Sequence, residues 1–155
     1  MFSTGQILSD FQASMGPDDH LLLGTDLIKD EKRLVAAYDD SEGVTAAFNR
    51  NVLNVLNNVL GATFHPAAFD HVALWNAPNR WIEMRLRSTE AQAVDLRQLD
   101  MRVEFQTGEE ILTEISCKFD PERLEAELSA AGLDVIRSWL DDAGDFLVTL
   151  AKPGR

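Results

Sequence analysis

Hydrophobic positions along this chain recur first at helical and later at strand spacing, and the changes of period mark out the elements. Ile7, Leu8, Phe11 and Met15 predict one helical stripe over residues 5–15, closed by the turn Gly16, Pro17, Asp18 and Asp19. The apolar run His20 to Leu27 (HLLLGTDL) predicts a buried strand in the interior of a parallel α/β sheet. Asp30 is placed to cap a short helix, LVAAY, that closes at Asp39 and Asp40. Ser41 is placed to cap a longer one ending at Leu60, with Gly61 as its stop. Along that helix Val44, Phe48, Val52, Val55 and Val59 form an apolar stripe that needs a partner.

After a short Pro66-initiated helix the period changes to two. HVALWN, the turn Ala77, Pro78 and Asn79, and RWIEMRLR predict a hairpin with Ile82, Met84 and Leu86 on one face and Trp81, Glu83, Arg85 and Arg87 on the other. Strands are also predicted at AQAVDL, MRVEF and EEILTEISCKF, a run of antiparallel sheet. The last third returns to α/β grammar. Asp120 caps, Pro121 takes the first helical position, and the helix runs to Gly132 before two strands flank residues 141–144. The expected class is therefore mixed α/β, with α/β pieces at both ends and an antiparallel insert from about Ile28 to Lys118.

Composition narrows the function classes. With 26 Asp plus Glu against 14 Lys plus Arg, the net charge of −12 argues against nucleic acid or an anionic membrane surface as the principal partner. The chain is 45% apolar, enough for a sizeable core, and contains no run of about 18 apolar residues. Neither a signal peptide nor a membrane span is expected. A lone cysteine, Cys117, excludes an internal disulfide and fits a reducing cytoplasm; it is expected to be a small buried apolar residue. The glycines stand at 5, 16, 24, 43, 61, 108, 132, 144 and 154, never closer than eight apart, whereas a nucleotide loop needs them close together. His20, His65 and His71 lack zinc-ligand spacing, so no metal site is expected.

One strand could carry chemistry. Alternation over residues 110–118 puts Ile111, Thr113, Ile115 and Cys117 on a core side and Leu112, Glu114, Ser116 and Lys118 on the other. Glu114 and Ser116 then project together, about 6.5–7 Å apart at Cα. Two hydrogen bonds of about 2.8 Å diverging from an imidazole span a similar distance, so a carboxylate and a hydroxyl could bracket a small nitrogen heterocycle. The same pair also fits a plain solvated strand face. Tyr38, the single tyrosine, could bond an anionic ligand group or simply pack its ring, and Met84 by default is a core thioether.

The segments LLLGTDLIKD, RLVAAYDDSEGVTAAFNRNVLNVLN, FDHVALWN with RWIEMRLR, GEEILTEISCKF and DDAGDFLVTLA resemble, in order, the carboxyl-terminal half of the histidine-specific Nα-methyltransferases. That resemblance implies a substrate-recognition half of an enzyme that trimethylates L-histidine to hercynine with S-adenosylmethionine, in ergothioneine biosynthesis. It implies a class I methyltransferase sheet, here residues 1–27 and 119–155, around a histidine-binding domain at 28–118. Tyr38 resembles the tyrosine that holds the substrate carboxylate, Glu114 and Ser116 the pair that reads the imidazole, and Met84 a methionine beside bound histidine. No catalytic or cofactor residue is carried over, since the family's glycine loop, ribose acid and a substrate asparagine lie upstream of Met1. The chain is thus expected to be a truncated or split form that binds no cofactor alone, with a complementary N-terminal half or a second copy as partner. The other reading is a non-catalytic histidine-binding or scaffold module.

Overall fold

The computed structural model describes residues 4–154. The chain divides into two compact units, one formed by the two ends, up to Lys29 and from Lys118 onward, and the other by Asp30–Cys117.

In the first unit, helix α1 (Thr4–Ser14) and strand β1 (Leu21–Asp26) come from the start of the chain; α4 (Pro121–Ala130), β7 (Leu133–Leu140) and β8 (Phe146–Pro153) come from its end. The sheet order is β1-β8-β7 and both pairings are antiparallel. Leu8, Leu27, Leu124, Leu128, Leu133, Leu147 and Ala151 form the core. As the sequence predicts, Asp120 caps α4 by accepting from the Arg123 N–H at 3.1 Å, and Pro121 fills the first turn where no N–H partner is needed. Two expectations need correction. The run HLLLGTDL does not sit in parallel surroundings: β1 pairs antiparallel with β8, Leu22 is 66% exposed, and only alternate residues turn inward. A leucine run fits a strand covered on both faces equally well, so composition could not tell the two apart. On α1 only Leu8 is buried, while Ile7 and Phe11 are exposed.

Lys118 is buried and pairs with Asp26 at 2.8 Å, and Lys29 donates to the same carboxylate at 2.6 Å. Between them the Phe119 N–H donates to Asp26 O and the Ile28 N–H to Phe119 O, both at 2.9 Å. The outgoing and returning segments are thereby fastened side by side.

The second unit holds α2 (Glu31–Ala36), α3 (Val44–Leu60), β2 (Phe69–Asn76), β3 (Trp81–Ser88), β4 (Gln92–Leu96), β5 (Met101–Phe105) and β6 (Glu110–Cys117). The strands form a sheet of order β2-β3-β6 and a separate β4-β5 ribbon, so β6 returns to pair with β3 rather than extending a meander. Leu53, Phe64, Phe69, Leu86, Val94, Leu96 and Phe105 make the core, with the Phe69 and Phe105 rings edge-to-face at 5.5 Å.

Helix α3 ends at Leu60 with the predicted left-handed Gly61 stop, but it starts at Val44, two residues later than a Ser41 cap implies, and lacks the predicted inward face. Gly43, not Ser41, is the N-cap residue, and the Asp40 carboxylate satisfies the first turn, accepting from the Val44 and Thr45 N–H groups at 2.9 and 2.8 Å. A bond from the Thr45 side chain, followed by those from the Thr45 and Val44 N–H groups, holds the Asp40 carboxyl down at about 2. The stripe Val44, Phe48, Val52, Val55 and Val59 is exposed, Phe48 at 67%. The helix instead buries Leu53 and Asn49, with Leu56 and Leu60 partly covered. Asparagine amides occupy this inner face because they satisfy backbone groups of the chain beneath. The Asn57 side chain donates to Phe64 O and accepts from the Phe64 N–H, both at 2.8 Å.

Candidate functional site

The β2-β3-β6 sheet presents two faces of opposite character. Residues directly opposed in an antiparallel pair share a face. The hairpin register pairs His71 with Leu86, Ala73 with Met84 and Trp75 with Ile82, and β6 adds Glu114 opposite Met84 and Ser116 opposite Ile82. Met84, Glu114 and Ser116 therefore lie on one face, with Met84 buried and Glu114 exposed.

The expected alternation of β6 holds only as far as Glu114. A bulge falls between Met84 and Arg85, so that Arg85 pairs with Leu112 and Leu86 with Ile111. One extra residue reverses the parity of the strand. Ile111 consequently joins the Glu114 face and packs on the core, whereas Leu112, expected beside Glu114, goes to the other face. Thr113 is the inserted residue, and its hydroxyl donates to Met84 O at 2.8 Å, filling the place of a ladder bond. Cys117, expected to be buried, is exposed at the end of β6 opposite Trp81.

Tyr38 reaches this face from the loop after α2. Its hydroxyl lies 2.7 Å from Ser116 Oγ, joining residues 78 apart in sequence. Its backbone is held as well. The Tyr38 N–H donates to Val35 O at 2.9 Å, and Tyr38 O accepts from His71 Nε2 at 2.7 Å. On the other side of the His71 ring, Asn49 Nδ2 donates to Nδ1 at 2.9 Å and also to Arg85 O at 3.1 Å. All four sequence-predicted residues thus gather at one sheet face in two pairs, Tyr38 bonded to Ser116 and Met84 opposite Glu114 in the strand register. His71 and Asn49 were missed. The hairpin register alone would have placed His71 on the Met84 face, and an asparagine at the core-facing position four before Leu53 was the signal for the other.

A cleft of about 250 Å³ opens between α3 and β6, with Phe48, Val52 and Val55 on one wall, Thr113 and Glu114 on the other and Asn49 also lining it. It combines apolar walls with one carboxylate, a combination suited to a small ring bearing an N–H.

The reverse face is a closed ionic network. Glu83, 4% exposed, accepts from Asn76 Nδ2 at 2.7 Å, Trp81 Nε1 at 2.9 Å and Arg85 Nε at 2.9 Å. Bonds from Trp81, Asn76 and Arg85 pull its carboxyl down to about 2. Arg85 also donates to Glu110 at 2.7 Å, and Arg87 donates to the other Glu110 oxygen at 2.8 Å; Arg85 and then Arg87 hold Glu110 below the usual carboxylate range. With its carboxylates already taken by donors of the same face, this network holds the sheet rather than offering a ligand site.

A carboxylate, a hydroxyl pair and a thioether thus come together on one face of a sheet in a mixed α/β chain. The chain belongs to the histidine-specific, SAM-dependent methyltransferase family, whose pattern it matches over residues 3–153. It is 56% identical over 146 residues to the histidine N-alpha-methyltransferases of Mycolicibacterium smegmatis and Mycobacterium tuberculosis, an overlap of 94% of this chain and 46% of theirs. It is 29% identical over 134 residues to Ergothioneine biosynthesis protein 1 of Neurospora crassa, covering 85% of this chain and 15% of that protein. The chain therefore spans about half the length of its bacterial relatives.

The family is SAM-dependent. The positive-φ glycines 43, 61, 108, 132 and 144 stand singly at helix ends and turns, without the close spacing along the chain of a phosphate-cradling loop. No helix among them is long and apolar enough to cross a membrane.

Proposed function

We propose that this chain is the histidine-recognition part of a cytoplasmic L-histidine Nα-methyltransferase that makes hercynine for ergothioneine biosynthesis. On this reading Asp30–Cys117 is the histidine-binding domain and the flanking unit is the end of a class I methyltransferase sheet. The Glu114 carboxylate accepts the ring N–H of the substrate and Ser116 engages the second ring nitrogen. The Tyr38 hydroxyl bonds the substrate carboxylate, and Met84 packs beside the bound molecule. Methyl transfer needs an unprotonated amine lined up with the donor methyl, so the contribution of these residues is to fix the amino acid at both ends. The cofactor is held by a complementary N-terminal half, and without it the chain is inactive. Apolar side chains left exposed, such as Phe48 and Val52, favour self-association when that half is absent.

The observation that carries this reading is the meeting of Tyr38 and Ser116 at 2.7 Å, on the sheet face that Glu114 and Met84 share, in a chain 56% identical to histidine N-alpha-methyltransferases. The test is to mix the chain with the N-terminal half of a mycobacterial relative and follow methyl transfer to L-histidine. Activity only in the mixture supports the reading. A folded, associated mixture that transfers no methyl group rejects it in favour of a non-catalytic module.

A further inference from the structure

Resting on that reading of the site, we propose that Asn49 and His71 are positioning residues that set Tyr38 and the Glu114-bearing bulge in one geometry. Tyr38 lies beyond a helix of only six residues, too short to fix the loop by itself. The phenol reaches the sheet at Ser116, and the backbone of this loop is bonded to the sheet where Tyr38 O accepts from His71. Asn49 is 4% exposed and uses one amide nitrogen for two tasks, donating to His71 Nδ1 and to Arg85 O. Arg85 is the first residue past the bulge that aims Glu114. A single buried amide therefore ties the strand irregularity beside the carboxylate to the loop that carries the phenol.

The direction of every bond in this relay is fixed from both ends. Tyr38 O and Arg85 O are carbonyls and can only accept, so His71 carries its proton on Nε2 and the Asn49 NH2 faces both the ring and the strand. His71 Nδ1 is then the acceptor that the amide requires. Neither partner can be reversed without placing two donors or two acceptors against each other.

Tyr38 is the only tyrosine, so 3-fluorotyrosine labelling gives one 19F resonance that reports on it alone. In the ligand-free chain, His71→Phe, which keeps a ring but loses both nitrogens, is expected to displace that resonance. His71→Gln, which can still donate to Tyr38 O, is expected to bring it back toward the wild-type position. On titration with L-histidine, the midpoint should rise about tenfold in His71→Phe, as for one lost hydrogen bond, and by less in His71→Gln. An unchanged Tyr38 resonance and midpoint in a folded His71→Phe would overturn the proposal. Nitrogen-15 spectra of the unsubstituted chain test it independently of any variant: the Nε2–H form of His71 is expected, and the Nδ1–H form would overturn it. If His71→Phe displaces the resonance while L-histidine leaves the wild-type spectrum untouched, the positioning role stands and the histidine reading of the site falls.

Discussion

Replacing Glu83 by Gln should destabilise the second unit by about 2–3 kcal/mol, because the amide can satisfy only half of the donors that the carboxylate now accepts. Oε1 receives Asn76 and Trp81, and an amide oxygen can keep both; Oε2 receives Arg85 Nε and Nη2, which an NH2 group would oppose. Bonds to charged groups contribute about 1.5–3 kcal/mol, and breaking a buried pair costs about 3–5 kcal/mol. The Glu83 side chain is 5% exposed, so water cannot replace what is lost, but Arg85 is 33% exposed and keeps Glu110, which places the loss toward the lower figures. In urea, at about 1–3 kcal/mol per molar, the midpoint should fall by about 1–2 M, followed by the fluorescence of Trp81 within the network. The pH dependence has a definite sign. The Glu83 carboxyl is lowered from its ordinary 4.5 to about 2, chiefly by Trp81 and then Asn76 and Arg85, so its contribution is complete above 4.5 and is lost as pH falls toward 2. Glu83→Gln should flatten the stability profile across that window. A midpoint unmoved by more than about 0.2 M, or a profile parallel to wild type, refutes the network's role.

Thr113→Val should cost about 1–3 kcal/mol in urea unfolding by leaving Met84 O unsatisfied at the bulge, while Thr113→Ser should stay near wild type. Tyr38→Phe in the reconstituted enzyme should chiefly raise the L-histidine concentration needed and leave the maximal rate nearly unchanged, as steady-state kinetics would show. Calorimetric titration of the chain alone with S-adenosylmethionine should give no heat of binding. Light scattering should show self-association at high concentration that Phe48→Glu reduces, since that ring is 67% exposed.

The elements written in short-range chemistry were legible in the sequence. The hairpin was carried by period two on either side of residues 77–79, α4 by Asp120 and Pro121, and the end of α3 by Gly61. What escaped was decided by packing at a distance. The valine stripe of α3 has the periodicity of a core face, yet the helix turns Asn49 and Asn57 inward because the backbone beneath it needs donors and acceptors. The bulge at Thr113 has no local signature, and it alone moves Ile111 and Leu112 to opposite faces. Tyr38, Met84, Glu114 and Ser116 were each singled out, but no spacing rule could bring Tyr38 to Ser116, and the relay that holds it was invisible until the register placed His71 on the same face.

The central claim is that the face holding Glu114 reads imidazole. An indole or phenol ring would leave the carboxylate or the Ser116 hydroxyl without its partner, at about 1–3 kcal/mol each. The most direct measurement is the rate of histidine methylation by the chain reconstituted with an N-terminal half, comparing wild type with Glu114→Ala. Histidine use should fall by about ten- to a hundredfold while the affinity for S-adenosylmethionine stays nearly the same. Undiminished histidine methylation by Glu114→Ala would contradict the account and return Glu114 to an ordinary solvated position on the strand.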